Sequence, residues 1–358
     1  MMKLRKKIKS ILLLFFTSRK SSNFDLEDTK RVLFLRYDRI GDMIITTPVF
    51  RSLKFYNKDI SISVLASSVN KDVISNSPYV DEIFLNHKNN FIKDLPTLWK
   101  LRKLKFDVVV EFDHSVVPHA IIRNLIIKPK KIISIEKNGR YGINGKSLNL
   151  YDFYTPRPRD MNYRDICLKT LEPLGVRKFS RKYDLFITNS HKEKADIFLQ
   201  KFEGKFLIAV NLFGAVKGKF IDISSFLEFQ KVLNEKFKDL IFILLFQPNK
   251  YRSTLTYKNQ SSENVFLSYE TKSILDVAAL IRKVDIVITP DTSIAHIASA
   301  FNKPIITIHE NNYKSYSLFK PTSEISSVIY SPRSDSLEGF DVKKLIKYTE
   351  QMINNTTK

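Results

Sequence analysis

"LFLRYDRIGDMIITTP", Leu33 to Pro48, starts as an apolar, buried strand and ends as a helix. Between the two stand one glycine, Gly41, and directly after it a carboxylate, Asp42. A strand–turn–helix that opens an α/β domain usually announces a nucleotide site through several glycines, whose backbone approaches the phosphates at the helix N-terminus. Here a single glycine is kept, and an acid takes the position a phosphate would otherwise occupy. Taken alone, Asp42 reads either as a complement to the helix dipole or as a group with chemistry to perform.

Outward from this stretch the chain alternates. Apolar, β-branched runs at 31–37, 60–66, 82–87, 106–112 and 131–137 read as strands, with helical patterns between most of them, as at 46–56 and 91–104. Near-continuous apolar strands joined by crossover helices predict a parallel sheet covered on both faces. From Asn138 to Ser190 the texture changes: "NGRYGINGKSLNLYDFYTPRPRD" is rich in turn formers and reads as a loop. A short helix, 163–174, follows and ends at Gly175, a C-cap glycine. The alternation then resumes, with strands at 206–213, 240–246, 264–269, 285–290 and 304–309 and helices at 223–237, 273–282 and 293–301. A last helical pattern covers 341–353. The fold class is α/β, with two Rossmann-like domains whose parallel sheets are expected to face a central cleft. The expected division is an N-terminal segment over 1–30, a first domain over 31–185, a second over 186–340, and a C-terminal helix and tail over 341–358.

Composition narrows the partners. The chain has 358 residues, enough for two cores, and 59 Lys+Arg against 37 Asp+Glu leave a formal charge of +22. That balance favours an anionic partner: nucleic acid, an acidic membrane surface or a phosphorylated substrate. No nucleic-acid recognition motif accompanies the charge, so nucleic acid is not expected. One cysteine, Cys167, excludes an intramolecular disulfide and a Cys-based zinc site. The first twenty residues carry seven Lys/Arg, no acid, and an apolar run of only six residues, Ile11–Phe16. That run is too short for a signal-peptide core, roughly 7–15 residues, or a membrane span, about 20. Leu4, Ile8, Ile11, Leu12 and Phe15 share a helical face, which fits a basic amphipathic helix lying on an anionic membrane.

Three segments place polar groups just past a strand's carboxyl end, where α/β sheets bind ligands. The first is the opening stretch. The second, "NLFGAVKGKFIDISSF" (211–226), carries Lys217 and Lys219 on a glycine-containing loop, suited to offsetting the charge of a diphosphate. The third, "ITPDTSIAHIASAFNKPIITIH" (288–309), supplies Asp291, Thr292 and Ser293 at a helix start and His296 one turn in. Arg123, Lys128, Lys130, Lys131, Lys137, Arg140 and Lys146 are met by one acid, Glu136, between residues 121 and 150.

In order and context these segments resemble glycosyltransferase family 9, the lipopolysaccharide heptosyltransferase family with its two-domain GT-B fold. The likeness covers roughly Arg31 to Pro321 and is strongest at "RYDRIGDMIITTPVFRSLK" and "TPDTSIAHIASAFNKPI". The resemblance implies an inverting, metal-independent transferase without a cofactor. Asp42 would deprotonate the acceptor hydroxyl, and Gly41 beside it would count among the donor-binding residues. Lys219, with Lys217 and the amides near Thr292 and Ser293, would hold the leaving diphosphate, and Asp291 and His296 would complete the donor site. Arg36, Arg39, Arg123, Lys130, Lys131 and Arg140 would grip phosphates or carboxylates of a lipid-linked oligosaccharide. The implied reaction moves heptose, or a related sugar, from ADP-heptose to a lipopolysaccharide inner-core acceptor. The implied location is cytoplasmic, peripheral to the cytoplasmic face of the inner membrane. Two alternatives stay open: a UDP-hexose(amine) transferase for another surface glycan, and a non-catalytic GT-B-like membrane-bound scaffold. Departures from the family pattern are Ser293 in place of glycine, Ile221-Asp222 in place of Trp-Pro, and "HENNYKSYSLF" after the strand at 304–309.

Overall fold

The run of apolar residues at the head of the opening stretch forms β1, Arg31–Leu35, and the helix that follows is α1, Ile40–Tyr56. In this computed structural model the described residues are 22–87, 91–140, 143, 148–214, 216 and 218–356. The amphipathic pattern of the first twenty residues lies outside them, as does Lys217. The strand is shorter than its apolar run: the Arg36 N–H makes a last bond to the Leu65 carbonyl (3.0 Å), and the chain then leaves the sheet. Helix α1 starts earlier than the hydrophobic pattern suggests, so Gly41 and Asp42 are helical residues of its first turn. Gly41 is not among the positive-φ glycines, so it does not serve as the tight-turn residue that its position suggested. Further along, Pro48 lacks the N–H that would bond the Ile44 carbonyl. The Thr47 hydroxyl donates to that carbonyl instead (2.7 Å), which is how the Thr-Thr-Pro sequence keeps the helix intact across its buried stretch, Met43–Leu53.

The chain divides into two units between Lys182 and Tyr183. In the first, β1 is joined by β2 (Ser61–Ser67), β3 (Glu82–Asn86), β4 (Val108–Glu111), β5 (Lys131–Ile135) and β6 (Phe153–Thr155), in the order β3-β2-β1-β4-β5-β6 and all parallel. Crossover helices include α2 (Phe91–Lys103) and α3 (Pro118–Ile127); α4 (Tyr163–Lys169) packs on α1. The helix expected over 163–174 is α4 followed by a 3-10 turn, Glu172–Leu174, and Gly175 ends it at φ +86. Strand β6 corrects the loop reading of 138–190: it is three residues long, too short to show a pattern, yet it pairs along the edge of β5.

The second unit repeats the topology. Strands β7 (Phe206–Asn211), β8 (Leu240–Leu245), β9 (Val265–Leu267), β10 (Ile286–Pro290), β11 (Ile305–His309) and β12 (Ser326–Tyr330) lie in the order β12-β11-β10-β7-β8-β9. In both sheets the strand order therefore switches sides between the first and fourth strands, which marks the ligand edge of such folds. Helices α5 (Asn189–Leu199), α6 (Ile223–Lys236), α7 (Tyr251–Gln260), α8 (Ile274–Lys283), α9 (Ser293–Ala300), α10 (Tyr313–Phe319) and α11 (Val342–Thr356) complete it. The last helix buries Leu345, Ile346, Met352 and Ile353 in the same core as Phe226, Phe229 and Phe242, so it is part of the second unit rather than an appended tail.

Candidate active site

Arg36 is the first residue beyond β1, and its side chain is 2% exposed. The guanidinium lies 5.4 Å from the Phe112 ring centre and 5.6 Å from that of Tyr163. It pairs with Asp38 at 3.0 Å and lies 3.5 Å from the Asp42 carboxylate, while Nε donates to the Asp42 carbonyl at 3.0 Å. Burial opposes its charge, but the two aspartates outweigh that and keep it firmly protonated. Arg36 is thus the pivot of a carboxylate cluster, not a cation open to an acceptor. Asp42 keeps 22% of its side chain exposed, on the first turn of α1.

Asp38 was not singled out by the sequence. One of its oxygens, Oδ1, is enclosed without a hydrogen-bond partner among the described residues. Burial raises its pKa to about 7 against the pull of Arg36, and Asp42 and Asp113 add repulsion. Asp113, just past β4, accepts a hydrogen bond from the Tyr37 hydroxyl at 3.3 Å. Next to it, the His114 pKa is lowered by burial and by the Arg157 charge. The available signal was positional: Asp38, Asp42 and Asp113 all follow carboxyl ends of adjacent strands.

The basic stretch between 121 and 150 is less free than its local sequence implies. Arg123 is buried against Asp94 (2.8 Å), with Tyr37's ring centre 4.7 Å away. Lys137 is buried on Glu111 (2.6 Å), and Lys130 pairs with Asp107 (2.8 Å). Lys131, paired with Asp152 at 3.7 Å, opens β5 and so stands with Lys130 at the amino edge of the sheet. These two lysines are on the wrong edge for a site at the carboxyl ends, and Arg123 is enclosed; the acids that meet them are distant in sequence. Arg39 and Arg140 are exposed at the carboxyl side, joined by half-buried Arg157 just beyond β6.

In the second unit, β7 leads into a tight loop. Phe213 bridges Phe220, and the Gly214 N–H donates to the Lys219 carbonyl at 2.5 Å. A Cβ at Gly214 would stand 2.6 Å from that same oxygen, so only glycine fits here. The loop aims Lys219 at Glu310, just past β11, with Nζ and Oε1 2.6 Å apart. Asp222, where the family pattern has proline, caps α6 by accepting the Ser225 N–H at 2.9 Å. Thr292 caps α9, its hydroxyl accepting the Ile294 N–H (3.2 Å) and approached by Asn211 Nδ2 (3.2 Å). Asp291 and Ser293 are half-buried beside it. His296 points inward instead: it is 5% exposed, edge-on to Tyr183 with ring centres 6.0 Å apart. His309, at the end of β11, has its pKa lowered by burial, against the charges of Asp291 and Glu310. Among the described residues no three His, Cys, Asp or Glu side chains are grouped to hold a metal ion, and no helix is long and apolar enough to cross a membrane.

A model of the family described as glycosyltransferase family 9 (heptosyltransferase) matches residues 98–343, well over half of the chain. The chain belongs to glycosyltransferase family 9. Among curated proteins, this family 9 chain is 25% identical over 293 residues to the lipopolysaccharide core heptosyltransferase OpsX of Haemophilus influenzae, covering 79% of this chain and 80% of that one. Of solved structures, a family 9 glycosyltransferase from Veillonella parvula superposes with a TM-score of 0.78 at 16% identity, over 94% of this chain and all of that one. Escherichia coli ADP-heptose lps heptosyltransferase II gives 0.72 at 13% identity, over 92% of this chain and all of that one. These likenesses show the fold, the two-domain GT-B architecture. Membership makes the family 9 chain a glycosyltransferase.

Proposed function

We propose that this glycosyltransferase moves a heptose from ADP-heptose to the inner core of a lipopolysaccharide acceptor, with inversion and without a metal. The observation that carries the reading is a division of chemistry. A half-buried carboxylate, Asp42, 3.5 Å from the Arg36 guanidinium, stands at the ligand edge of the first sheet, while a lysine, Lys219, and a helix N-terminus at Thr292 stand at the ligand edge of the second. An inverting displacement needs a base for the attacking hydroxyl and positive or N–H stabilisation for the leaving diphosphate. Asp42 is the base in this reading; Lys219 and the amides at the start of α9 receive the diphosphate, with Asp291 and Ser293 beside the sugar. Arg39, Arg140 and Arg157, at the carboxyl side of the first sheet, are the cations this reading assigns to acceptor phosphates. The likeness to a lipopolysaccharide core heptosyltransferase and to an ADP-heptose lps heptosyltransferase supports the substrates. The charge of +22 and the basic N-terminal pattern support peripheral attachment at the cytoplasmic face of the inner membrane.

The test is transfer by the purified chain to heptose-deficient lipopolysaccharide, with ADP-heptose and UDP-hexoses offered in parallel. A product heavier by one heptose, formed from the ADP donor alone, is expected. A hexose product, or none with ADP-heptose, overturns the donor assignment.

A further inference from the structure

Lys219 is not an open cation. Its side chain is 17% exposed and its Nζ holds Glu310 Oε1 at 2.6 Å; the Glu310 side chain is 9% exposed. The second carboxylate oxygen, Oε2, is enclosed with no hydrogen-bond partner among the described residues. Asp291 adds a further negative charge near His309, and burial keeps His309 towards its neutral form. Around Lys219, therefore, the described charges do not sum to a cationic pocket, although the chain as a whole is strongly basic.

A diphosphate arriving at Lys219 meets the Glu310 carboxylate, and like charges in a partly dry site repel. Two things relieve such repulsion: protonation of the carboxyl or its removal from the lysine. Protonation is closed off near neutral pH. Burial raises the Glu310 pKa, but the hydrogen bond and charge of Lys219 outweigh it and hold the group below its ordinary value. Removal is open to the side chain alone, because the backbone is pinned: the Asn312 N–H donates to the Glu310 carbonyl (2.6 Å) and the Asn311 N–H to the Arg333 carbonyl (2.7 Å). The enclosed, unpartnered Oε2 leaves the carboxylate incompletely held and so exchangeable.

We propose that Glu310 is an affinity-determining counter-ion of the donor site, occupying Lys219 until the diphosphate of a nucleotide-sugar displaces it. This rests on the reading of Lys219 as the diphosphate ligand. The exchange subtracts the Lys219–Glu310 interaction from donor affinity and favours release of the nucleoside diphosphate after transfer, since Glu310 returns to the lysine.

Calorimetric titration of ADP and of inorganic pyrophosphate into the full chain tests the exchange, using E310Q, K219A and the double variant. Glutamine keeps the size and a hydrogen-bond acceptor but loses the charge. E310Q is expected to bind both probes about tenfold more tightly, which is ~1.4 kcal/mol. K219A weakens both, and the gain disappears in the double variant. Unchanged or weaker binding by E310Q overturns the exchange, as does a gain that survives without Lys219 or a failure of both parent and E310Q to bind either probe. Sugar transfer by the parent, measured alongside, depends on the family activity and not on Glu310. A chain that transfers but shows no E310Q gain loses the exchange alone.

Discussion

Replacing Asp38 with asparagine is expected to stabilise the first unit progressively as pH rises above about 4 and fully above about 7. An aspartate ordinarily titrates at 3.8; Asp38 is raised to about 7, first by burial, then by Asp42 and Asp113, with Arg36 pulling the other way. Between those two values the folded chain retains a proton that the unfolded chain has released, so stability falls as pH rises through the window. The full gap is worth roughly 4 kcal/mol. Because 33% of the side chain is exposed, solvent screens part of it, and about 2 kcal/mol is the expected cost by pH 8. Asparagine has no charge to bury and leaves Arg36 with Asp42. D38N and the parent should therefore match near pH 4 and separate by about 2 kcal/mol at pH 8. Urea unfolding followed by Trp99 reads this directly, since the chain has one tryptophan and it lies on α2 in the first unit. A parent whose stability is flat from pH 4 to 8, or a variant that is weaker at pH 8, refutes the reasoning.

Three other outcomes follow from individual contacts. Lys137→Met strands Glu111, 1% exposed, without its cation. The first unit should lose about 3–5 kcal/mol at pH 8 and less as pH falls, because burial raises the Glu111 pKa and favours its neutral form; the Trp99 urea midpoint measures both. Gly214→Ala places a methyl 2.6 Å from the Lys219 carbonyl oxygen, so the loop must open at about 1–3 kcal/mol, and ADP affinity should fall by calorimetry. Thr47→Val removes the hydroxyl that serves the Ile44 carbonyl above Pro48; a loss of about 1–3 kcal/mol by denaturant titration is expected.

The central strands of both sheets were legible because each is a long apolar run with a crossover on either side. Of the four edge strands, β3 and β9 were read but two were not: β6 is only three residues long inside a turn-rich stretch, and β12 carries two serines in five. Candidate positions were legible where a polar side chain follows a strand locally, as at Asp42, Lys219 and Thr292. They were not where partners are remote. Lys219 and Glu310 are 91 residues apart, Lys137 and Glu111 26, and Arg123 and Asp94 29, so a local count of charges misjudged which cations are free. Arg36 and Tyr37 were read as the end of a strand, because an apolar environment suits a strand and a buried ion-pair cluster alike; only the fold shows that the chain has already left the sheet there.

Asp42→Asn in the transfer assay is the most direct measurement of the whole account. With ADP-heptose and a heptose-deficient acceptor, turnover should fall by about 10²–10⁴-fold, while ADP-heptose still protects the variant against thermal unfolding as it does the parent. Parent-like turnover by D42N would contradict the assignment of the base, and with it the division of the reaction between the two sheets.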